Sequence, residues 1–167
     1  MKKIILKIIQ KIAEKNNTDI SEFFAVFMGL IATNANVEEV LKKYKLDEKE
    51  KEILKEFLKY LSNDVLREKD KFIKDFIEIV DFNKVFKNLA LFFAIFIPEN
   101  ILLSKDPKKI KDALKIYPEE IKEAIIKSLE MLSLADTNID ADLKLNILKE
   151  VLNTIIVLTF IIRNLNA

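Results

Sequence analysis

The chain has 167 residues, the size of one domain, and a domain of this length buries roughly 70% of its unfolded surface. Its 28 basic residues nearly balance its 27 acidic residues, so its overall charge does not attract nucleic acid, and only Arg67 and Arg163 are arginines. Because the sequence contains neither cysteine nor histidine, it excludes disulfides, thiolate zinc sites, iron–sulfur clusters, cysteine nucleophiles and histidine general bases.

The composition predicts an all-α fold. One glycine and three prolines leave few positions for hairpin turns, whereas Lys, Glu, Leu and Ile recur on helical spacings. We expect a compact bundle of about 7–9 helices with a hydrophobic C-terminal helix at its centre. Since no Gly-, Pro- or Ser-rich linker divides the chain, we expect residues 1–167 to form a single domain.

The first predicted helix covers residues 2–15 and is amphipathic. Isoleucines occupy one face and lysines stand at four-residue spacing on another, which is typical of an outer bundle helix. A basic amphipathic helix also suits an anionic membrane surface or a groove on a partner, and we keep that alternative open. Lysines at 7 and 11 interrupt the early apolar run, so we expect no signal peptide and a cytoplasmic protein.

Capping patterns predict the starts of the next helices. An Asp or Asn followed three residues later by Glu is a capping box, and this pair occurs at Asp19 with Glu22, Asn36 with Glu39, and Asp47 with Glu50. A further helical period continues from residue 65 to about residue 80. Asp81 can cap a helix that becomes apolar on all sides toward Pro98, and we place that helix deep in the core.

Two proline-containing starts follow, at Asp106-Pro107 and at Tyr117-Pro118, and each predicts a helix with proline in its first position. A tandem duplication is a weaker alternative, because repeat architectures need about three copies. The last helix is expected to begin near Asp140 or Asp142 and to end near Leu165. The longest apolar runs, residues 89–97 and 155–162, fall short of the ~20 residues that cross a bilayer.

One segment, residues 136–144, resembles a calcium-binding loop in its spacing of oxygen ligands. Position six is Ala141 where the turn needs glycine, and position twelve is Ile147 where a bidentate Glu closes the site. Helix capping is therefore the favoured interpretation, and we expect no metal and no cofactor. The candidate oxygen ligands are Asp136, Asn138, Asp140 and Asp142.

Several other residues have both a structural and a functional interpretation. Glu22 is the most interesting acid, because burial beside two phenylalanines would raise its pKa, although capping at Asp19 is favoured.

Small residues at 25, 29 and 33 and at 90 and 94 favour close packing within the core over a self-association seam. The aromatic segments 23–27 and 92–96 favour core packing over a wall for a lipid. Polar residues on the last helix are either satisfied core groups or the lining of a cavity or subunit seam: Asn153, Thr154, Thr159 and Arg163.

The leading functional hypothesis is a non-enzymatic helical scaffold or adaptor that acts through protein binding or self-association, often as a homo-oligomer. It follows from two nearly all-apolar helices, which a small bundle buries only at its centre or between subunits. The alternative is a binder of lipid or another apolar ligand, docked to membranes through residues 2–15.

Nucleic-acid binding is not expected, because no glycine-containing turn precedes a basic recognition helix. No nucleophile lies beside an identifiable base, so we expect no catalytic residue.

Overall fold

A computed structural model describes residues 1–166, and within that range the chain forms ten α-helices and one 3₁₀ helix, with no strand. The all-α prediction is confirmed. The helix count is slightly above the expected 7–9, because four of the helices contain only five to seven residues. The elements are α1 (Lys3–Lys15), α2 (Ile20–Thr33), α3 (Val37–Leu41), α4 (Glu48–Asn63), α5 (Lys69–Ile77), α6 (Val85–Leu89), the 3₁₀ helix (Ala90–Ile95), α7 (Glu99–Ser104), α8 (Pro107–Ala113), α9 (Glu119–Ala135) and α10 (Ala141–Leu165).

Side-chain caps begin α2, α3 and α4 where the sequence predicts them, but only one of the three capping boxes is complete. The expected cap at Asp81 is wrong, because Asp81 accepts from Asn83 N in the preceding turn and α6 starts after Lys84 with no side-chain cap. Asp47 accepts from the backbone of Glu50, whose side chain accepts in return from Asp47 N. Asp19 and Asn36 cap α2 and α3 through the residue two positions later instead. The predicted return bonds of Glu22 and Glu39 are therefore wrong, although both helices start where expected.

Two boundaries differ from the sequence prediction because the local hydrogen bonds end a helix. The N–H groups of Asp64 and Val65 both donate to Tyr60 O, which closes α4, so α5 begins at Lys69 rather than at residue 65. The apolar segment that follows Asp81 lies only partly in the core, because Phe92 and Phe93 are buried whereas Leu91 is 44% exposed, and it tightens into the 3₁₀ helix at Ala90. Pro107 occupies the first position of α8, whereas Pro118 is the N-cap of α9 rather than its first residue.

The most deeply buried helix is α2, in which ten of fourteen residues are buried. It contacts α1, α4, α6, the 3₁₀ helix and α10. Its phenylalanines join those of α4 and α5 in one aromatic cluster, with neighbouring ring centroids 5.2 to 6.5 Å apart. Aromatic rings bury large areas and prefer such spacings, so this cluster accounts for the central position of α2.

The C-terminal helix α10 is apolar, as expected, and packs against α2, α5 and α9. It shares the centre with α2, but its outer face is less covered. Taken whole, it is the one helix in residues 1–166 that is long and apolar enough to cross a membrane by length and composition. Half of its most apolar 18-residue stretch is buried inside the protein.

Candidate interaction groove

A groove runs between α9 and α10, where residues 153–165 of α10 pass the first two turns of α9. Its volume is about 420 Å³, and most of its lining is apolar. Pro118, Glu120, Asn153 and Thr154 border it. The apolar side chains inside it are Ile121, Ala124, Val157, Leu158, Ile161 and Leu165.

The sequence of α10 explains why this groove is left open. The helix carries apolar residues nearly all round, and its inner side is buried by the core. On its outer side Ile161 is 41% exposed and Leu165 is 62% exposed. Ala124 is the small residue that faces this side from α9, so the space beside α10 stays unfilled.

The four polar residues of the last helix separate into three environments. Asn153 and Thr154 line the groove, as the cavity interpretation requires. Thr159 is buried and donates to Ile155 O at 2.7 Å, so it is a satisfied core group. Arg163 faces the opposite side, where it donates to Ser62 O at 3.0 Å and lines a smaller cavity of about 180 Å³.

One ion pair crosses from α9 to α10 beside the groove. Lys127 Nζ lies 3.0 Å from a carboxylate oxygen of Glu150, one turn before Asn153. Both side chains are more than half exposed, so solvent screens the pair and its contribution to stability is small. The apolar contacts between α9 and α10, rather than this pair, hold the walls of the groove in place.

A buried hydrogen-bond cluster around Asp19 was missed by sequence reasoning apart from its capping role. One carboxylate oxygen accepts from Gln10 Nε2 at 2.8 Å and from Asp81 N at 2.9 Å. The other accepts from the N–H and the hydroxyl of Ser21. Asn88 donates to that same hydroxyl, so α1, α2, α6 and the turn before α6 all meet here. A glutamine among the isoleucines of α1 was the available signal.

The Asp19 cluster satisfies all of its polar groups within the protein. Its members are within hydrogen-bond distance of one another, and the carboxylate is fully buried. A buried carboxylate costs little free energy only when hydrogen-bond donors surround it, which is the case here. The cluster therefore stabilises the entry of the chain into α2.

Glu22 lies outside the Asp19 cluster and accepts a hydrogen bond from Tyr44 at 2.8 Å. Burial, together with this bond and the negative charge of Glu22, raises the pKa of the Tyr44 hydroxyl above its ordinary range. The tyrosine ring also meets Phe23 edge to face. Glu22 thus anchors the segment after α3 to α2.

The calcium-like segment is a helix start. Asp140 is the N-cap of α10 and accepts from the N–H groups of Asp142 and Leu143. This confirms the capping interpretation for Asp140. Within residues 1–166 the structure brings together no group of three or more Asp or Glu side chains that could hold a metal ion.

The aromatic stripes pack inside the molecule, but the small-residue stripes do so only in part, since Ala25 and Gly29 are buried whereas Thr33 and Ala94 are exposed. A Cβ atom added to Gly29 would lie 3.3 Å from Cγ2 of Ile95, so the glycine lets α2 approach the 3₁₀ helix closely. The phenylalanines of both aromatic segments are buried and stack on one another or on neighbouring rings. Core packing is confirmed for Gly29 and for these rings.

The chain matches no family model, no curated protein and no solved structure at the significance required. The groove and the charged surfaces are therefore the features from which a function can be inferred.

Proposed function

We propose that this chain is a non-enzymatic interaction protein that binds another protein, or a second copy of itself, along the groove between α9 and α10. The observation that carries the proposal is the apolar lining of the groove together with the exposure of Ile161 and Leu165 beside it. Covering apolar surface is favourable by roughly 25 cal/mol per Å². Contiguous exposed apolar surface of this kind is typical of interaction sites.

A helix is the partner element that fits best. The groove lies between two antiparallel helices, so an added amphipathic helix would complete a local three-helix arrangement. Its apolar side chains would contact Ile121, Val157 and Ile161. Asn153 and Thr154 would supply hydrogen bonds that fix the register, as single polar residues do in helical interfaces.

A cytoplasmic location is part of the proposal. Half of the most apolar 18-residue stretch of α10 is buried in the bundle, which supports a role for α10 as a core helix rather than as a membrane-spanning helix. Interaction through the groove requires α10 to stay folded against α2 and α9.

The test of self-association is light scattering on the full chain across micromolar concentrations. We expect a dimer or larger species, and we expect Ile161→Glu to shift it toward the monomer by placing a charge in the groove. The matched control is Leu66→Glu, because Leu66 is 46% exposed, close to the 41% of Ile161, and is not part of the groove lining. Circular dichroism of both variants checks that the fold is kept.

A different protein partner is tested by native pull-down with mass spectrometry. A partner captured by the wild-type chain and by the Leu66→Glu chain, but lost with Ile161→Glu, supports the proposal. A strictly monomeric chain that captures no protein through Ile161 contradicts it.

An apolar small molecule is a second candidate occupant, favoured by the groove volume of about 420 Å³. Sites for drug-sized ligands fall in the range of roughly 300 to 1,000 Å³ and are mostly apolar. Native mass spectrometry of the purified chain distinguishes the two functions. A bound small molecule that Ile161→Glu releases favours the ligand, whereas a protein oligomer sensitive to the same change favours the interaction protein.

A further inference from the structure

The solvent-facing side of α1 carries apolar residues that the core does not use. Leu6, Ile9 and Ile12 are buried and hold α1 against the rest of the bundle. Ile4, in contrast, is 62% exposed and Ile8 is 39% exposed. The isoleucine face expected from the sequence is therefore divided, with one half in the core and the other half facing water.

Two lysines lie on the same outward face as these isoleucines. Residues 4, 7, 8 and 11 are neighbours on the surface of a helix, because side chains three and four positions apart stand side by side. Lys7 and Lys11 are exposed there. The outward face of α1 thus alternates Ile4, Lys7, Ile8 and Lys11, a combination called the Ile–Lys face below.

The charge of this face is positive. Lys3 pairs with Glu78 and Lys15 pairs with Glu50, so two nearby acids are engaged by the lysines at the ends of α1. Lys7 and Lys11 form no ion pair within residues 1–166, whereas Glu78 is engaged by Lys3, whose hydrogen bond and charge lower the pKa of that carboxyl. The one acidic residue of α1 is the exposed Glu14, which stands beside Lys11 and three positions after it, so Lys7 and Lys11 outnumber it and the face keeps a net positive charge.

We propose that the Ile–Lys face docks this protein reversibly on an anionic lipid surface, with α1 lying parallel to the bilayer. Lys7 and Lys11 would contact lipid phosphate and carboxylate groups, while Ile4 and Ile8 would enter the boundary between headgroups and acyl chains. A polyanion in water offers the lysines a partner but offers the isoleucines no apolar environment. The lipid surface satisfies both, and α1 can reach it without leaving the bundle, since its inner face stays buried.

The expected binding is weak and depends on salt. A lysine near an anionic membrane contributes about fivefold in affinity, and the attraction falls off within a Debye length, about 10 Å at 0.1 M salt. The docking is independent of the groove between α9 and α10, because none of the residues of α1 lines that groove.

The test is sedimentation of the full chain with phosphatidylcholine vesicles, with and without phosphatidylserine, at low salt. We expect binding only to the phosphatidylserine vesicles. Lys7→Glu with Lys11→Glu should weaken it by about 25-fold or more, and Ile4→Ser with Ile8→Ser by about tenfold. All four side chains are exposed, so circular dichroism should be unchanged.

Matched controls come from the exposed segment near α8. Lys108→Glu with Lys109→Glu makes the same change of charge, and Leu103→Ser with Ile116→Ser removes two apolar side chains that are 70% and 83% exposed, more than Ile4 and Ile8. Both controls should bind vesicles as the wild-type chain does, and so should Ile161→Glu, which tests the groove separately.

Three results would overturn the docking proposal. The first is no sedimentation with phosphatidylserine vesicles. The second is that Lys108→Glu with Lys109→Glu weakens vesicle binding as much as Lys7→Glu with Lys11→Glu does, which would mean non-specific charge attraction. The third is loss with the lysine changes but not with the isoleucine changes, which would mean that the chain adsorbs by charge alone and that Ile4 and Ile8 do not enter the lipid.

Discussion

Helix α2 and the segment that contains α7 and α8 are all helical, yet they differ completely in burial. Ten of the fourteen residues of α2 are buried, whereas α7 and α8 have no buried residue. Side-chain caps begin α2 at Asp19 and α8 at Asp106, whereas α7 forms without one. The depth of packing depends on residue type and on neighbours, because the phenylalanines of α2 meet those of α4 and α5 while Leu103 of α7 faces water.

The comparison implies an uneven distribution of stability. Regions with few buried apolar contacts open locally at low free-energy cost, and regions with dense contacts open only on global unfolding. We therefore expect α2 to report the global stability of the chain and α7 with α8 to report local opening. Substitutions in the two regions can break or sharpen this expectation.

The largest effect is expected for Phe24→Ala. The ring of Phe24 lies 5.7 Å from that of Phe72 and 5.3 Å from that of Phe76, and its side chain is fully buried. The substitution leaves a cavity and should lower the free energy of unfolding by about 4 kcal/mol in urea titrations. Leu103→Ala in α7 is the control, since Leu103 is 70% exposed and its loss should stay within about 0.5 kcal/mol. Similar losses in both variants would contradict the comparison.

The next largest effect is expected for Asp19→Ala, the N-cap of α2. The substitution leaves the N–H groups of Ser21 and Asp81 and the amide of Gln10 without their acceptor. Buried orphaned donors should lower the free energy of unfolding by about 3 kcal/mol.

Asp106→Ala is the matched control, because Asp106 caps α8 through one bond to Lys108 N at an exposed position. Water can replace that acceptor, so the loss should be about 1 kcal/mol or less. Equal losses would show that burial of the Asp19 cluster adds nothing to the cap.

The same contrast separates what the sequence could predict from what it could not. The existence of the helices and most of their first residues follow from local signals. Five helices begin at the predicted side-chain cap, and these caps are Asp19, Asn36, Asp47, Asp106 and Asp140. The split isoleucine face of α1 does not follow, because periodicity shows that a residue is apolar but not whether a neighbouring helix reaches it. The helix α7 was missed, since it is one turn long and lacks a side-chain cap.

The groove was half predictable. Lining a cavity or a seam was one of two interpretations of Asn153 and Thr154, the other being satisfied core groups, and the structure places both residues in the groove. The other wall, with Ile121 and Ala124 of α9, was not predicted, because the pairing of α9 with α10 is a tertiary contact. The Asp19 cluster shows the same limit, since Asp81 lies 62 residues from Asp19 and Asn88 lies 67 residues from Ser21.

A smaller effect is expected for Tyr44→Phe, which removes the hydroxyl that α2 holds through Glu22. Loss of this hydrogen bond should cost about 1 kcal/mol at neutral pH. Because burial first and Glu22 second raise the pKa of Tyr44, the folded state keeps the proton more tightly than the unfolded state does. The resulting stability is present below the ordinary tyrosine pKa of 10.0 and is lost as the pH rises above it.

Urea titrations at neutral pH and above pH 10 measure this dependence, and the alkaline loss should be smaller in Tyr44→Phe than in the wild-type chain. Tyr117→Phe provides the comparison from the region of α8, since burial alone raises the pKa of Tyr117. Tyr117→Phe should reduce the loss of stability above pH 10 less than Tyr44→Phe does. An alkaline loss that is unchanged in Tyr44→Phe would show that Glu22 does not hold the phenol in its neutral form.

The smallest effect is expected for Gly29→Ala, which tests how tightly α2 meets the 3₁₀ helix. Alanine in a helix interior is favoured over glycine by up to ~1 kcal/mol. The added methyl group would stand 3.3 Å from Cγ2 of Ile95, a half-buried side chain that can move by a few tenths of an ångström. We therefore expect a gain of roughly 0.5 kcal/mol in urea titrations, because the propensity gain exceeds the small cost of moving Ile95. A loss greater than about 1 kcal/mol would mean that Ile95 is fixed and that the dense packing of α2 extends to the edge of the bundle.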